Sequence, residues 1–196
     1  MSLAKQAKTL TKPQIDAVLG YLANSRYPAR NRVIFLLSVK AALRAKEIAS
    51  LTWAMVTDAE GALADVISLT DTASKGRGGR VIPISKDLRA ALAALKAEAD
   101  KASCPSPFVI TTERAGSTSS YAIVNQFAAW YRTLGFSGAS SHSGRRTAIT
   151  NWARKISTVG GSLRDVQMLA GHSALSTTQR YIEGAEEARR RVVELI

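Results

Sequence analysis

The chain predicts an α+β fold, mainly helical, with a small antiparallel three-stranded sheet near its middle. Three observations carry that prediction. Apolar residues recur at helical spacing before the middle of the chain and again from residue 119 onward. Between these regions the period switches to that of strands, in ALADVISLTD and GRVIPIS. A glycine-rich segment, ASKGRGG, joins the two.

Each element has its own signal. The first helix opens on Thr11, with Pro13 at its start and Ile15, Val18, Leu19 and Leu22 at helical spacing. ARNRVIFLLSVKAAL is a second helix, apolar enough to lie deep in the core. RAKEIASLTW continues as a third, with Ile48 and Leu51 on one face. The strand-like segments then form the hairpin or three-stranded sheet. Residues 88–95 read as an alanine-rich helix, and PSPFVIT as a short extended run. Three further helical segments follow: SSYAIVNQFAAWYRTLGF, RRTAITNWARK and SLRDVQMLAGH. The last, GAEEARRRVVELI, sets Ala185, Ala188, Val192 and Leu195 along one stripe, with an acidic start and a basic middle. There is no internal repeat and no low-complexity tract.

Composition bounds the function. A length of 196 residues and an apolar fraction of 46% suit one domain with a proper core, or a domain with an appendage. No apolar run is long enough for a transmembrane helix, and the N-terminus has no secretory pattern. The single Cys104 excludes an internal disulfide; beside Pro105 in a loop it reads as inert. A cytoplasmic protein without a membrane partner is expected. The net charge of +12 favours a polyanionic partner, because neutralised phosphates release counterions.

Five places can carry chemistry. Arg44 lies in ALRAKEIASLTW, with Glu47 three residues on and within helical reach. Lys75 lies in TASKGRGGRVIPI, where glycines let it swing; Arg77 and Arg80 beside it suit phosphate contacts. The order of residues there is not that of a P-loop. His142 and Arg145, in SSHSGRRTAIT, are three apart at a helix start, where free N–H groups attract anions. Ser141 next to His142 does not make a hydrolase, since no oxyanion loop or third partner accompanies it. In LAGHS, Gly171 stops a helix and His172 follows. The two histidines have no carboxylate or thiol cluster beside them, so a zinc site is not expected. Tyr181 follows Thr177 and Thr178, and alone it reads as a packing residue.

The order of these places changes the reading. Arginine, hairpin lysine, His-x-x-Arg, Gly-His, then tyrosine resembles the catalytic domain of the tyrosine recombinases, the phage-integrase family. The resemblance covers residues 10–181 and is most specific in ALRAKEIASLTW, HSGRRTAIT and LAGHSALSTTQRYI. It implies the family's DNA breaking-rejoining fold and a site of Arg44, Lys75, His142, Arg145, His172 and Tyr181, with Glu47 supporting Arg44. Arg77, Arg80 and Arg146 are further DNA-binding candidates.

The implied reaction is attack by the Tyr181 phenol oxygen on a DNA phosphodiester. A 3′-phosphotyrosyl bond forms and a 5′-hydroxyl leaves. Two guanidinium forks would meet the charge of the transition state. A phenol ionises near pH 10 in water, so it needs a base or a strongly cationic site. His142 would accept its proton, Lys75 would protonate the leaving oxygen, and His172 would hydrogen-bond a non-bridging oxygen. The resemblance implies no metal, no other cofactor and no ATP. It implies double-stranded DNA as partner, a homo-oligomer (a tetramer) on DNA, a monomer in solution, and a place on the nucleoid. A type IB topoisomerase-like enzyme and an inactive DNA-binding relic remain as alternatives.

Some residues depart from the family pattern. Arg146 stands where a second histidine is common, and Gly144 and Ala170 where leucine is usual. The expected domains are a catalytic domain over 1–181 and a helical tail over 182–196, open to exchange between protomers, with Gly184 as its hinge. No N-terminal core-binding domain is expected in this chain.

Overall fold

The computed structural model describes residues 7–71, 73, 79–102, 105–113, 116–181 and 194. The chain divides into two compact units, Met1–Ala148 and Ile149–Ile196.

In the first unit, helix α1 (Lys12–Ala23) opens on a reciprocal cap. The Thr11 hydroxyl accepts from the Gln14 N–H, and Gln14 Oε1 accepts from the Thr11 N–H at 3.0 Å. Such a cap satisfies donors that a helix start would otherwise leave free. α1 buries Val18 and Leu22 and packs on α2 (Pro28–Val39). α2 is the centre of the core: Val33, Ile34, Phe35, Leu36 and Leu37 are all fully buried. It packs also on α3 (Ala45–Ala49) and α4 (Lys86–Ala99), while α3 packs on α5 (Ser120–Thr133). Phe127 meets Trp130 edge-on at 5.3 Å between ring centres, closing the α5 side.

The second predicted helix runs shorter than expected. It stops at Val39, and the chain turns sharply through Ala42, whose φ is +54°. That conformation disfavours any residue with a Cβ. The Leu43 N–H still finds a partner, the Leu37 carbonyl, at 3.0 Å.

Among the described residues the sheet has two strands, not three. β1 (Val66–Leu69) pairs antiparallel with β2 (Arg80–Pro83), in a register that sets Leu69 opposite Arg80. Ile67 and Ile82, also opposite each other, point into the core. The remaining extended segments make single bridges, Thr57 with Leu63 and Thr52 with Phe108. The first is cut short by a tight turn, in which Asp58 Oδ1 accepts the Ala62 N–H at 2.8 Å. The second lies in PSPFVIT, where Pro105 and Pro107 have no N–H for a ladder.

Helix α6 (Ser143–Lys155) begins in the first unit. Its first turn lies against α2 at Gly144, where an added Cβ would fall 2.3 Å from Ser38 Oγ and 3.0 Å from Val39 Cγ1. The departure from leucine at this position is therefore a requirement of close helix contact. The Leu10 N–H donates to Thr147 Oγ1 at 2.7 Å, tying the N-terminal segment to the same helix.

The second unit contains α7 (Leu163–Ala170) and α8 (Leu175–Gln179), which pack on each other. α8, formed by the hydroxyl-rich run, was not expected from the sequence. The predicted tail helix lies outside the described residues apart from Glu194, as do Lys75, Arg77, Cys104 and Gly184.

Overpacking predicts the cost of restoring a side chain at Gly144. Gly144→Ala lowers stability by about 1–3 kcal/mol, read as a lower urea midpoint at unchanged slope.

Candidate active site

The site starts from a buried carboxylate. Glu47 sits in α3 with a side chain only 1% exposed, and four donors from two arginines converge on it. Its Oε2 accepts the Arg44 N–H at 2.7 Å, and its Oε1 the Arg44 Nη1 at 2.9 Å. Arg80, the first residue of β2, reaches across from the hairpin. Its Nη1 and Nη2 donate to Glu47 Oε1 and Oε2, each at 2.9 Å. This is a two-pronged guanidinium–carboxylate pair, the geometry for which arginine is suited and lysine is not.

Burial alone would raise the Glu47 carboxyl. The Arg80 hydrogen bonds and charge, with those of Arg44, outweigh it and hold the group at about 2, against an ordinary 4.5. Glu47 is thus an anion at any physiological pH. Arg80 was expected to contact phosphate. Its side chain is only 6% exposed and is forked onto Glu47, so it lies inside the fold. Arg44 keeps a quarter of its side chain exposed, so the guanidinium that Glu47 holds also reaches solvent.

Arg145 and His142 come from the start of α6. Arg145 is 3% exposed, and its Nη1 donates to the Ala42 carbonyl. The left-handed turn at Ala42 thus aims a backbone acceptor at the second arginine, two residues before the first. His142 is exposed at the helix start, and its carbonyl accepts the Arg146 N–H at 2.9 Å. Partial desolvation, then the charges of Arg145 and Arg44, lower its pKa below 6.5. The Arg145–Ala42 bond brings the start of α6, with His142, to the chain two residues before Arg44, so the three residues share one region of the first unit. A neutral imidazole between two guanidiniums can accept a proton at pH 7.

His172 and Tyr181 belong to the second unit, where the structure brings them together. Gly171 closes α7 with φ +61°, in the left-handed cap for which glycine is best suited. The chain then returns, and the His172 N–H donates to the Gln167 carbonyl at 3.1 Å. The Tyr181 ring stacks on the His172 ring at 5.5 Å with 22° between planes. His172 Nδ1 lies 2.9 Å from Thr178 Oγ1. Lys75 and Arg77 are outside the described residues, and Arg146 is partly exposed on α6.

Sequence reasoning missed Ala42, Thr178 and the inward role of Arg80. Backbone torsion at an alanine leaves no sequence signal. The spacing of Glu47 and Arg80, on different elements, leaves none either. Among the described residues, no group of three or more His, Cys, Asp or Glu is arranged to hold a metal ion. Nor is any helix there long and apolar enough to cross a membrane.

Comparison with known proteins matches residues 8–188 to the model of the phage integrase family. The tyrosine recombinase XerC of Mesorhizobium japonicum is 30% identical, over 94% of this chain and 59% of its own length. Among solved structures, XerA recombinase superposes with a TM-score of 0.72 at 18% identity, covering 96% of this chain and 65% of its own. The XerH site-specific recombinase, bound to its difH substrate in a pre-cleavage complex, superposes with a TM-score of 0.74 at 17% identity. That match covers 98% of this chain and 55% of XerH. The chain therefore spans between about half and two thirds of these relatives.

The low pKa of Glu47 has a consequence for stability. Its folded value lies below its unfolded one, so the anion favours the fold above about pH 4.5, and that contribution is lost as pH falls toward 2. The displacement corresponds to on the order of 3 kcal/mol. Glu47→Gln flattens the acid limb of stability measured by urea unfolding between pH 5 and roughly pH 2. It also destabilises the protein at neutral pH, because two guanidiniums lose their counter-charge.

Proposed function

Because the chain belongs to the phage integrase family, we propose that it is the catalytic part of a tyrosine site-specific recombinase acting on double-stranded DNA. The observation that carries this reading is the cluster of Arg44, His142 and Arg145. One exposed imidazole, its pKa lowered by desolvation and then by two guanidinium charges, accompanies two positioned arginines, one set by Glu47 and the other by the Ala42 carbonyl. The fold shared with XerH, a recombinase seen on its DNA substrate, supports the same reading.

In this mechanism Tyr181 Oη attacks the scissile phosphorus and the bond to the 5′-oxygen breaks. The phenolic proton passes to His142, and Lys75 returns a proton to the 5′-oxygen. Arg44 and Arg145 hold the non-bridging oxygens, where charge develops in the transition state. His172 hydrogen-bonds one of the same oxygens. The phosphotyrosyl ester keeps the energy of the broken bond, so a 5′-hydroxyl of another strand can reverse the step without ATP. Neither metal nor other cofactor takes part. Strand exchange needs paired sites, so the protein works as a homo-oligomer on DNA, a tetramer, and is placed with the nucleoid. In this reading residues 1–181 do the chemistry and the tail, 182–196, is open to exchange between protomers. The net charge of +12 supports DNA as the partner.

The test is a nicked suicide substrate, from which the strand beyond the nick diffuses away after cleavage and traps the covalent adduct. Wild type forms a protein–DNA band resistant to denaturation, and Tyr181→Phe forms none. An adduct that persists in Tyr181→Phe would sink the assignment. Relaxation of supercoils without preference for a site would point instead to a topoisomerase. Binding without any adduct would identify a DNA-binding relic.

A second outcome follows from the lowered His142 pKa. By NMR its imidazole titrates below 6.5, and Arg145→Gln moves it upward, since one of the two repelling charges is gone. The rate of adduct formation in wild type falls as pH drops through that same value, because the base must be neutral.

A further inference from the structure

Thr178 lies in α8, three residues before Tyr181, and is fully buried. Its two polar ends serve two different partners. Its hydroxyl oxygen is 2.9 Å from His172 Nδ1. Its carbonyl accepts the Tyr181 N–H at 3.0 Å. A helical threonine often returns its hydroxyl to a carbonyl one turn back; this one meets an imidazole instead. Gln167, also buried, holds the His172 backbone, donating from Nε2 to the His172 carbonyl at 2.9 Å and accepting the His172 N–H. Gln167 therefore fixes the backbone of His172, and Thr178 fixes the ring.

We infer that Thr178 is a positioning residue: its hydroxyl sets the proton of the His172 imidazole on Nε2, and its carbonyl holds Tyr181 stacked against that ring. The inference rests on the reading of His172 as a phosphate ligand and Tyr181 as the nucleophile. To hydrogen-bond an anionic oxygen, a neutral imidazole must offer an N–H. Nδ1 faces Thr178, so in this reading the imidazole meets phosphate through its other nitrogen, Nε2. A hydroxyl can donate as well as accept; when Nε2–H is given to phosphate, Nδ1 is a lone pair, and the Thr178 O–H is able to donate to it. A backbone carbonyl at the same place accepts only. It would hold the proton on Nδ1 and turn a lone pair of Nε2 toward the phosphate. Threonine thus lets His172 donate to phosphate while neutral. Its carbonyl links the nucleophile to the same support, so one buried residue sets both groups in the second unit.

The test combines a spectroscopic and a kinetic measurement. In ¹⁵N imidazole spectra, assigned with His142→Gln as a reference, wild-type His172 shows the tautomer with the proton on Nε2. The opposite tautomer in wild type overturns the inference, whatever any variant does. Thr178→Val keeps the volume and removes the hydroxyl. It loses the tautomer preference and forms the phosphotyrosyl adduct more slowly by about tenfold or more, while the urea midpoint shows that it is folded. Thr178→Ser restores the hydroxyl and recovers both readouts. Thr178→Val at the wild-type rate, beside a defective His172→Ala, overturns the inference and leaves the proposed function standing. His172→Ala and Tyr181→Phe both at the wild-type rate overturn the proposed function itself, and the wild-type spectrum still decides the tautomer. If Thr178→Val does not fold, Thr178→Ser with an altered tautomer overturns the inference, and with an unchanged one supports it.

Discussion

Glu47 is the anion on which the first unit's candidate site is hung. It is buried, it is ionised, and two arginines from separate elements close on it. Either arginine alone would leave part of a buried charge unmatched, a cost of several kcal/mol in general. Together they make burial tolerable and fix a geometry. Arg44 starts α3, and Arg80 starts β2, so the ion triad ties the end of the glycine-rich hairpin to the helix beside it. An apolar trio could pack the same space. It could not hold a guanidinium partly open to solvent at a set angle.

Arg145 is oriented differently, by a main-chain carbonyl. The two arginines are therefore positioned by independent devices, one electrostatic and one conformational. His142, at the start of the same helix as Arg145, has its pKa lowered first by desolvation and then by the charges of both arginines. The positive charge that suits an anionic partner thus also disfavours the protonated imidazole.

The helical frame was legible because its signals are local. Thr11 and Pro13 mark a helix start, and the apolar α2 announces a core helix. The family was legible, because the types and order of its polar residues survive any detail of packing. The expected three-stranded sheet is two-stranded among the described residues, since extended residues and prolines look alike until a partner is known; Pro105 and Pro107 rule out a ladder only once Thr52 faces Phe108. Arg80 reads as a phosphate contact in the sequence because its counter-charge is 33 residues away. Thr178 was hidden in a hydroxyl run that gives no hint of which oxygen faces an imidazole. The short α8 has too little periodicity to be seen at all.

Ala42 shows how part of a site can escape the usual search. Its contribution is a torsion and a carbonyl, neither of which is removed by trimming a side chain. Alanine scanning would pass over it by construction, since the residue is already alanine. A map of the site drawn from such a scan would credit Arg145 with orientation that belongs to the chain two residues ahead of Arg44. Chemistry that edits the backbone itself, an ester in place of the amide or a D-residue that favours the turn, would make that share visible.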